Sequence, residues 1–169
     1  TGLARLGLKV SWVSRVGNDV LGQFVLNCLE KERISTQGVT IDDRFPTGFQ
    51  LKSKVEDGTD PTVAYFRKGS AASHLSTDDF NAPLFYSARH LHLSGVAAAL
   101  SNSSLELLNH AARAMKAQGK TISFDPNLRP VLWESEAKMV RELNQLAFQA
   151  DWVLPGLKEG AILTGQITP

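Results

Sequence analysis

Apolar and polar positions alternate in blocks that switch between strand-like and helix-like periods along most of the chain. Val10, Trp12 and Val13 place a strand over residues 9–16, after a helical turn at 1–6 and a break at Gly7. Val20, Leu21, Phe24, Val25, Cys28 and Leu29 then recur at helical spacing, which predicts a helix to about Arg33. Asn18 or Asp19 is its expected N-cap, with Gly38 in the turn that follows. Residues 47–55 and 63–68 are two extended runs joined by the turn formers Glu56-Asp57-Gly58-Thr59-Asp60-Pro61, the signature of a hairpin. Gly69-Ser70-Ala71-Ala72-Ser73 reads as a loop of small residues, and Leu91 to Leu93 as a short strand ended by Ser94-Gly95.

Further along, Ser103 and Glu106 have capping-box spacing ahead of a helix carrying Leu105, Leu108, Ala112 and Met115, and Gly119 stops it. A strand over Thr121–Phe124 runs into Asp125-Pro126-Asn127-Leu128-Arg129-Pro130, with Trp133 close behind. A helix follows from Glu136 to Gln149 on Val140, Leu143, Leu146 and Ala147, then a strand at Trp152-Val153-Leu154 and a short helix at Leu157–Leu163. This alternation predicts a three-layer α/β/α domain with a mostly parallel sheet. The hairpin at 47–68 does not fit a plain doubly wound order and is expected to stand off the sheet as a flap.

Bulk composition narrows the function classes. At 169 residues and 43% hydrophobic content the chain can bury one core. The net charge is +1, from 18 basic and 17 acidic residues with no basic run, which argues against nucleic-acid binding. The longest apolar runs are too short to cross a bilayer, so no membrane partner is expected. Cys28, on the apolar helix face, reads as a small buried hydrophobe. With no signal peptide and no cysteine pair, the composition suits a reducing cytoplasm. The chain opens with Thr1 inside a helical turn and closes at Gln166-Ile167-Thr168-Pro169, so both ends read as cut and an internal piece of a longer protein is expected.

No P-loop, dinucleotide glycine fingerprint, nucleophile elbow, paired-cysteine metal site or zincin helix is present. The candidate chemistry lies elsewhere. Ligands of open parallel sheets bind beyond the carboxyl ends of the strands, where Arg129 offers a guanidinium fork suited to phosphate or carboxylate. Asp125 has the alternative role of an Asx turn before Pro126. Tyr65 and Arg67 share one face of their strand. They either present a phenol and a guanidinium to an anionic, hydroxylated ligand or belong to an exposed face with an ordinary salt bridge. Glu159 suits the first turn of a helix through the macrodipole alone. His90 and His92 share a strand face, and a structural role is favoured over metal binding because no nearby Cys, Asp or Glu completes a ligand set.

Taken in order, these segments resemble the ribokinase-like (pfkB-type) carbohydrate kinases. Ala4-Arg5-Leu6-Gly7 with Val16-Gly17-Asn18-Asp19-Val20-Leu21-Gly22, Ser35-Thr36-Gln37-Gly38-Val39, Asp125-Pro126-Asn127-Leu128-Arg129 with Trp133, and Leu154-Pro155 through Glu159 to Leu163-Thr164-Gly165 all look like stretches of that family. Within it, Tyr65-Phe66-Arg67-Lys68-Gly69-Ser70-Ala71-Ala72-Ser73 and Leu91-His92-Leu93-Ser94-Gly95 most resemble the 2-keto-3-deoxygluconate kinases.

The resemblance implies a partial ribokinase-like domain over 1–169, with 47–68 as a lid hairpin. It implies ATP and Mg²⁺ as cofactors, a sugar acid as substrate, and a homo-oligomer paired through the lid. Tyr65 and Arg67 would contact the sugar acid, Arg129 would reach substrate and phosphate, and Asn127 would lie beside the nucleotide. Glu159 would be an outer-shell partner of the metal–phosphate network, with no direct metal ligand in the chain. Two departures stand out. Gly156 replaces the family's usual asparagine, and neither the glycine-and-asparagine sugar-binding segment nor the Gly-Ala-Gly-Asp turn that carries the catalytic base occurs in the chain. No catalytic residue is therefore assigned here, and the 169 residues alone are expected to be inactive. The alternatives are a fructokinase- or ribokinase-type kinase of a neutral sugar, and a non-catalytic sugar-binding module of the same fold.

Overall fold

The computed structural model describes residues 1–56 and 58–166. Asp57 of the expected hairpin linker and residues 167–169 of the closing segment lie outside the described residues. The chain divides into two compact units, Thr1–Leu75 and Ser76–Pro169.

The first unit opens with α1 (Gly2–Arg5), β1 (Val10–Gly17) and α2 (Val20–Lys31). Of the two candidate caps it is Asp19 that caps α2, accepting a hydrogen bond from the Gly22 amide. The chain then forms β2 (Ile34–Asp42), parallel to β1. This corrects the placement of Gly38 in a turn, since Gly38 lies inside β2 opposite Val13. The register explains the error: Ser11 pairs with Ser35 but Val13 with Gly38, so β2 carries one extra residue and is bulged there. A polar, glycine-bearing bulge breaks the alternation that would have marked a strand.

The helical period of α2 was legible, but its burial was not. Val20 is 85% and Phe24 64% exposed. Cys28 is half-buried, which corrects its expected place in a core. The hairpin forms as β3 (Phe49–Lys52) antiparallel to β4 (Val63–Phe66), a two-stranded sheet of its own and shorter than the runs that announced it.

The second unit begins with two segments that the sequence pattern did not mark, a 3₁₀ turn at Thr77–Asp79 and α3 (Ala82–Ser87). Next come β5 (His90–Ser94), α4 (Gly95–Ala98), α5 (Asn102–Ala117), β6 (Thr121–Asp125), α6 (Glu136–Ala147), β7 (Trp152–Val153) and α7 (Leu157–Thr164). The cap of α5 is Ser101, whose hydroxyl accepts from the Ser104 amide, which corrects the Ser103–Glu106 capping box. Three serines within four residues offered the same chemistry, and the backbone turns at the first. Strands β5, β6 and β7 form a parallel sheet in that order, and α5 packs on β5, β6 and α6. The core of the unit is Leu107, Ala111, Met115, Ile122, Phe124, Met139, Leu143 and Leu146, all buried.

Candidate functional site

Two groups of candidate residues are built by local rules, one in each unit. In the first, the antiparallel register sets Gln50 opposite Tyr65 and Phe49 opposite Phe66. Side chains alternate across a strand, so Tyr65 and Gln50 share a face while Phe49, Leu51, Ala64 and Phe66 share the other. The Arg67 guanidinium lies 4.6 Å from the centroid of the Tyr65 ring and donates from Nη2 to Gln50 Oε1 at 2.9 Å. No carboxylate pairs with Arg67 among the described residues, so the ordinary salt bridge is not what holds it. A cation over an aromatic face is attracted to the ring quadrupole. Only one N–H of the five in the fork goes to Gln50, which leaves donors for an anion. Gln50 went unnoticed in the sequence, although hairpin register alone would have set it against Tyr65.

The base of the hairpin, which follows β2 in the chain, is held at the carboxyl end of β1. Asp19 Oδ2 accepts from the Thr47 amide at 2.7 Å while Oδ1 accepts from the Gly22 amide at 2.7 Å. These two bonds, the Thr47 one first, hold the Asp19 carboxyl below its ordinary range despite some opposing desolvation. The Thr47 hydroxyl accepts in turn from the Gly17 amide at 2.8 Å.

In the second unit, β6 ends in the turn that carries Asn127 and Arg129. Both are non-glycine residues in the left-handed region, with φ of 35° and 46°. Such backbone persists only where its surroundings hold it. Here the Leu128 amide donates to Glu159 Oε1 at 3.1 Å and the Trp133 indole N–H to the Leu128 carbonyl at 2.9 Å. The other oxygen of Glu159 accepts from the Gly156 amide at 2.9 Å, at the start of α7. Glu159 is thus more than a compensating surface acid, because it ties the first turn of α7 to the loop of Arg129. The Arg129 side chain is exposed and has no ion pair among the described residues. Gly95, at the end of β5, permits the turn to sit where it does. A Cβ there would fall on the Pro126 carbonyl oxygen, and its next neighbour, the Pro126 carbonyl carbon, would be 2.8 Å away.

The two histidines are structural in their contacts. His90 Nδ1 lies 2.9 Å from Thr121 Oγ1 and Nε2 2.8 Å from Ser123 Oγ, and His92 Nδ1 lies 2.8 Å from that same Ser123 hydroxyl. Burial, with His92 alongside, lowers the pKa of His90. Among the described residues no group of three or more His, Cys, Asp or Glu side chains could hold a metal ion, and no helix is long and apolar enough to cross a membrane.

Comparison with known proteins gives these residues a setting. The profile of the pfkB family of carbohydrate kinases matches residues 1–168. A 2-dehydro-3-deoxygluconokinase from Bacillus subtilis (strain 168) is 50% identical over 169 residues, covering 99% of this chain and 52% of its own. The crystal structure of a PfkB protein from Polaromonas sp. JS666 matches with a TM-score of 0.95 at 49% identity, over 99% of this chain and 56% of that one. A sugar kinase from Pyrococcus horikoshii, solved in complex with ATP, matches with a TM-score of 0.88 at 29% identity, over 98% of this chain and 53% of that one. The chain spans about half the length of the relatives it matches.

Proposed function

The chain belongs to the pfkB family of carbohydrate kinases and carries part of its ribokinase-like fold, and from that premise we propose that the protein it comes from phosphorylates 2-keto-3-deoxygluconate (2-dehydro-3-deoxygluconate) on its terminal hydroxyl with ATP. The observation that carries this reading is the Arg67 guanidinium, held over Tyr65 and braced by Gln50, with no carboxylate partner among the described residues. A sugar acid has a carboxylate that a neutral sugar lacks, and an arginine fork selects for it through paired, charge-assisted hydrogen bonds. The identity of 50% to a 2-dehydro-3-deoxygluconokinase supports the same substrate.

In this account Tyr65 and Arg67 bind the sugar acid from the hairpin at 47–68, which acts as a lid and excludes water. Exclusion matters because the sugar hydroxyl, not solvent, has to take the phosphoryl group. The exposed fork of Arg129 serves to bind phosphate and to stabilise the charge that spreads over the transferring group. Asn127 lies beside the nucleotide. The pfkB match over residues 1–168 supports reading the whole chain as one partial kinase domain. Phe49, Leu51, Ala64 and Phe66 leave one face of the hairpin apolar, which supports pairing of lids between two copies. A cytoplasmic location belongs to the same proposal, since ATP is the co-substrate.

The residues present do not fit direct Mg²⁺ coordination. Both oxygens of Glu159 accept backbone N–H groups, and no cluster of ligands stands elsewhere among the described residues. An outer-shell role for Glu159 is thus the only one proposed. Nor does the chain carry the family's Gly-Ala-Gly-Asp turn, so the group that removes the hydroxyl proton is not assigned to any residue here.

A coupled ADP-release assay tests the reading. Full-length protein given ATP and 2-keto-3-deoxygluconate is expected to release ADP, and residues 1–169 alone to release none above background. Turnover from the 169 residues at the full-length rate would overturn the assignment of proton removal to a group outside them. A full-length protein inert toward the sugar acid would overturn the substrate.

A further inference from the structure

A helix N-cap needs one side-chain oxygen. Asp19 uses its second oxygen on Thr47, 28 positions away in the chain. Thr47 is itself buried and pinned twice, its amide by Asp19 and its hydroxyl by the Gly17 amide. The backbones approach closely at this point. A Cβ on Gly17 would meet the Phe45 carbonyl oxygen and the Thr47 nitrogen at 2.7 Å, and one on Gly22 would fall on the Gly17 carbonyl oxygen. The end of β1, the start of α2 and the segment before β3 therefore meet in one tight junction.

The returning strand is fastened to the same place. The Ala71 amide donates to the Pro46 carbonyl at 2.8 Å, and the Ser70 amide donates to the Arg67 carbonyl at 3.1 Å. Ser70 and Ala71 are buried. A Cβ on Gly48 would touch the Ser70 Cβ at 3.0 Å, so the two legs of the hairpin pass each other closely at their base. From Thr47 the chain is three residues from Gln50, which holds Arg67. On the returning side Arg67 is one residue beyond β4.

We propose that Asp19 is a positioning residue for substrate recognition. Its carboxylate, shared between the first turn of α2 and the Thr47 amide, fixes the base of the β3–β4 hairpin and so the place at which Tyr65 and Arg67 are presented. The inference rests on the sugar-acid reading above. A carboxylate suits the task because charge-assisted hydrogen bonds are shorter and stronger than neutral ones. It also accepts on both oxygens, which an amide cannot do. Misplacing a binding group by about 1 Å is enough to cost on the order of 100-fold in rate when its geometry is selective.

The test is made on the full-length protein with Asp19→Asn, which keeps one oxygen for the cap and sets an NH₂ where an acceptor stood. The expected result is a KM for 2-keto-3-deoxygluconate raised about 10-fold, with kcat and the KM for ATP within about twofold of wild type. In an Arg67→Ala background Asp19→Asn is expected to add little, because both changes remove the same interaction. An unchanged KM, or effects that multiply in the double variant, would overturn the proposal and leave Asp19 as a helix cap only. Thr47→Val keeps the cap of α2 but removes the acceptor for the Gly17 amide. It serves if Asp19→Asn fails to fold, with the same KM shift expected and an unchanged KM equally contrary. Failure of the underlying reading looks different, since wild type itself would then show no turnover with the sugar acid.

Discussion

Arg67→Ala in the full-length protein is expected to raise the KM for 2-keto-3-deoxygluconate by roughly 10- to 150-fold while leaving the KM for a neutral hexose nearly unchanged. Hydrogen bonds to charged groups contribute about 1.5–3 kcal/mol each, and each 1.36 kcal/mol is about a factor of ten. That range assumes the guanidinium is already in place before substrate arrives. The structure meets the condition, because the Tyr65 ring at 4.6 Å and Gln50 Oε1 at 2.9 Å hold Arg67, with no acidic partner among the described residues to be displaced. A preorganised donor loses less side-chain freedom on binding than a mobile one. Arg67→Lys is expected to recover only part of the loss, since an ammonium cannot make the paired bonds of a planar fork. Steady-state kinetics with both substrates decides it. An equal loss toward the sugar acid and the neutral hexose would place Arg67 in general lid structure and not in carboxylate recognition.

Gly95→Ala is expected to have the largest effect on folding, about 3 kcal/mol or more of lost stability. Overpacking in a core usually costs about 1–3 kcal/mol, because side chains can move aside. Here the first obstacle is the carbonyl of Pro126, followed by Leu143 Cδ2 at 3.0 Å, and Leu143 is itself fully buried. The carbonyl belongs to the turn whose next residues, Asn127 to Arg129, already hold two left-handed backbones. Moving it would strain the bonds from Leu128 to Glu159 and from Trp133 to Leu128. The substitution should therefore lower the urea midpoint. A variant with a wild-type midpoint would show that the β5 end has room that this packing denies.

Much of the second unit was legible because its elements follow one rule each. Thr121–Phe124 reads as a strand that stops at a carboxylate, and the structure ends β6 at Asp125. Val140, Leu143 and Leu146 repeat at helical spacing, and α6 forms there with Met139, Leu143 and Leu146 buried. Elements that break a rule were missed. The bulge at Gly38 hid β2, and α3 is a six-residue helix whose cap Asn81 and early Pro83 are weak signals alone. The exposure of Val20 and Phe24 could not be read from α2, since periodicity tells which residues share a face but not what lies against it.

The candidate residues divide in the same way. Arg129 and Glu159 stood out by residue type and place, but that Glu159 holds the Leu128 amide depends on a contact across 31 positions. The second bond of Asp19 depends on one across 28. Gln50 is the exception, because antiparallel register would have set it against Tyr65 once the hairpin was accepted.

The central claim is that this chain supplies the part of a kinase that recognises a sugar acid by its carboxylate. The most direct measurement is kcat/KM of the full-length protein for 2-keto-3-deoxygluconate and for fructose, side by side at saturating ATP. The expected result is a preference for the acid of at least about 10-fold, the contribution of one charge-assisted pairing, and its collapse toward unity in Arg67→Ala. Equal efficiency toward both sugars, or a preference that survives the loss of Arg67, would contradict it.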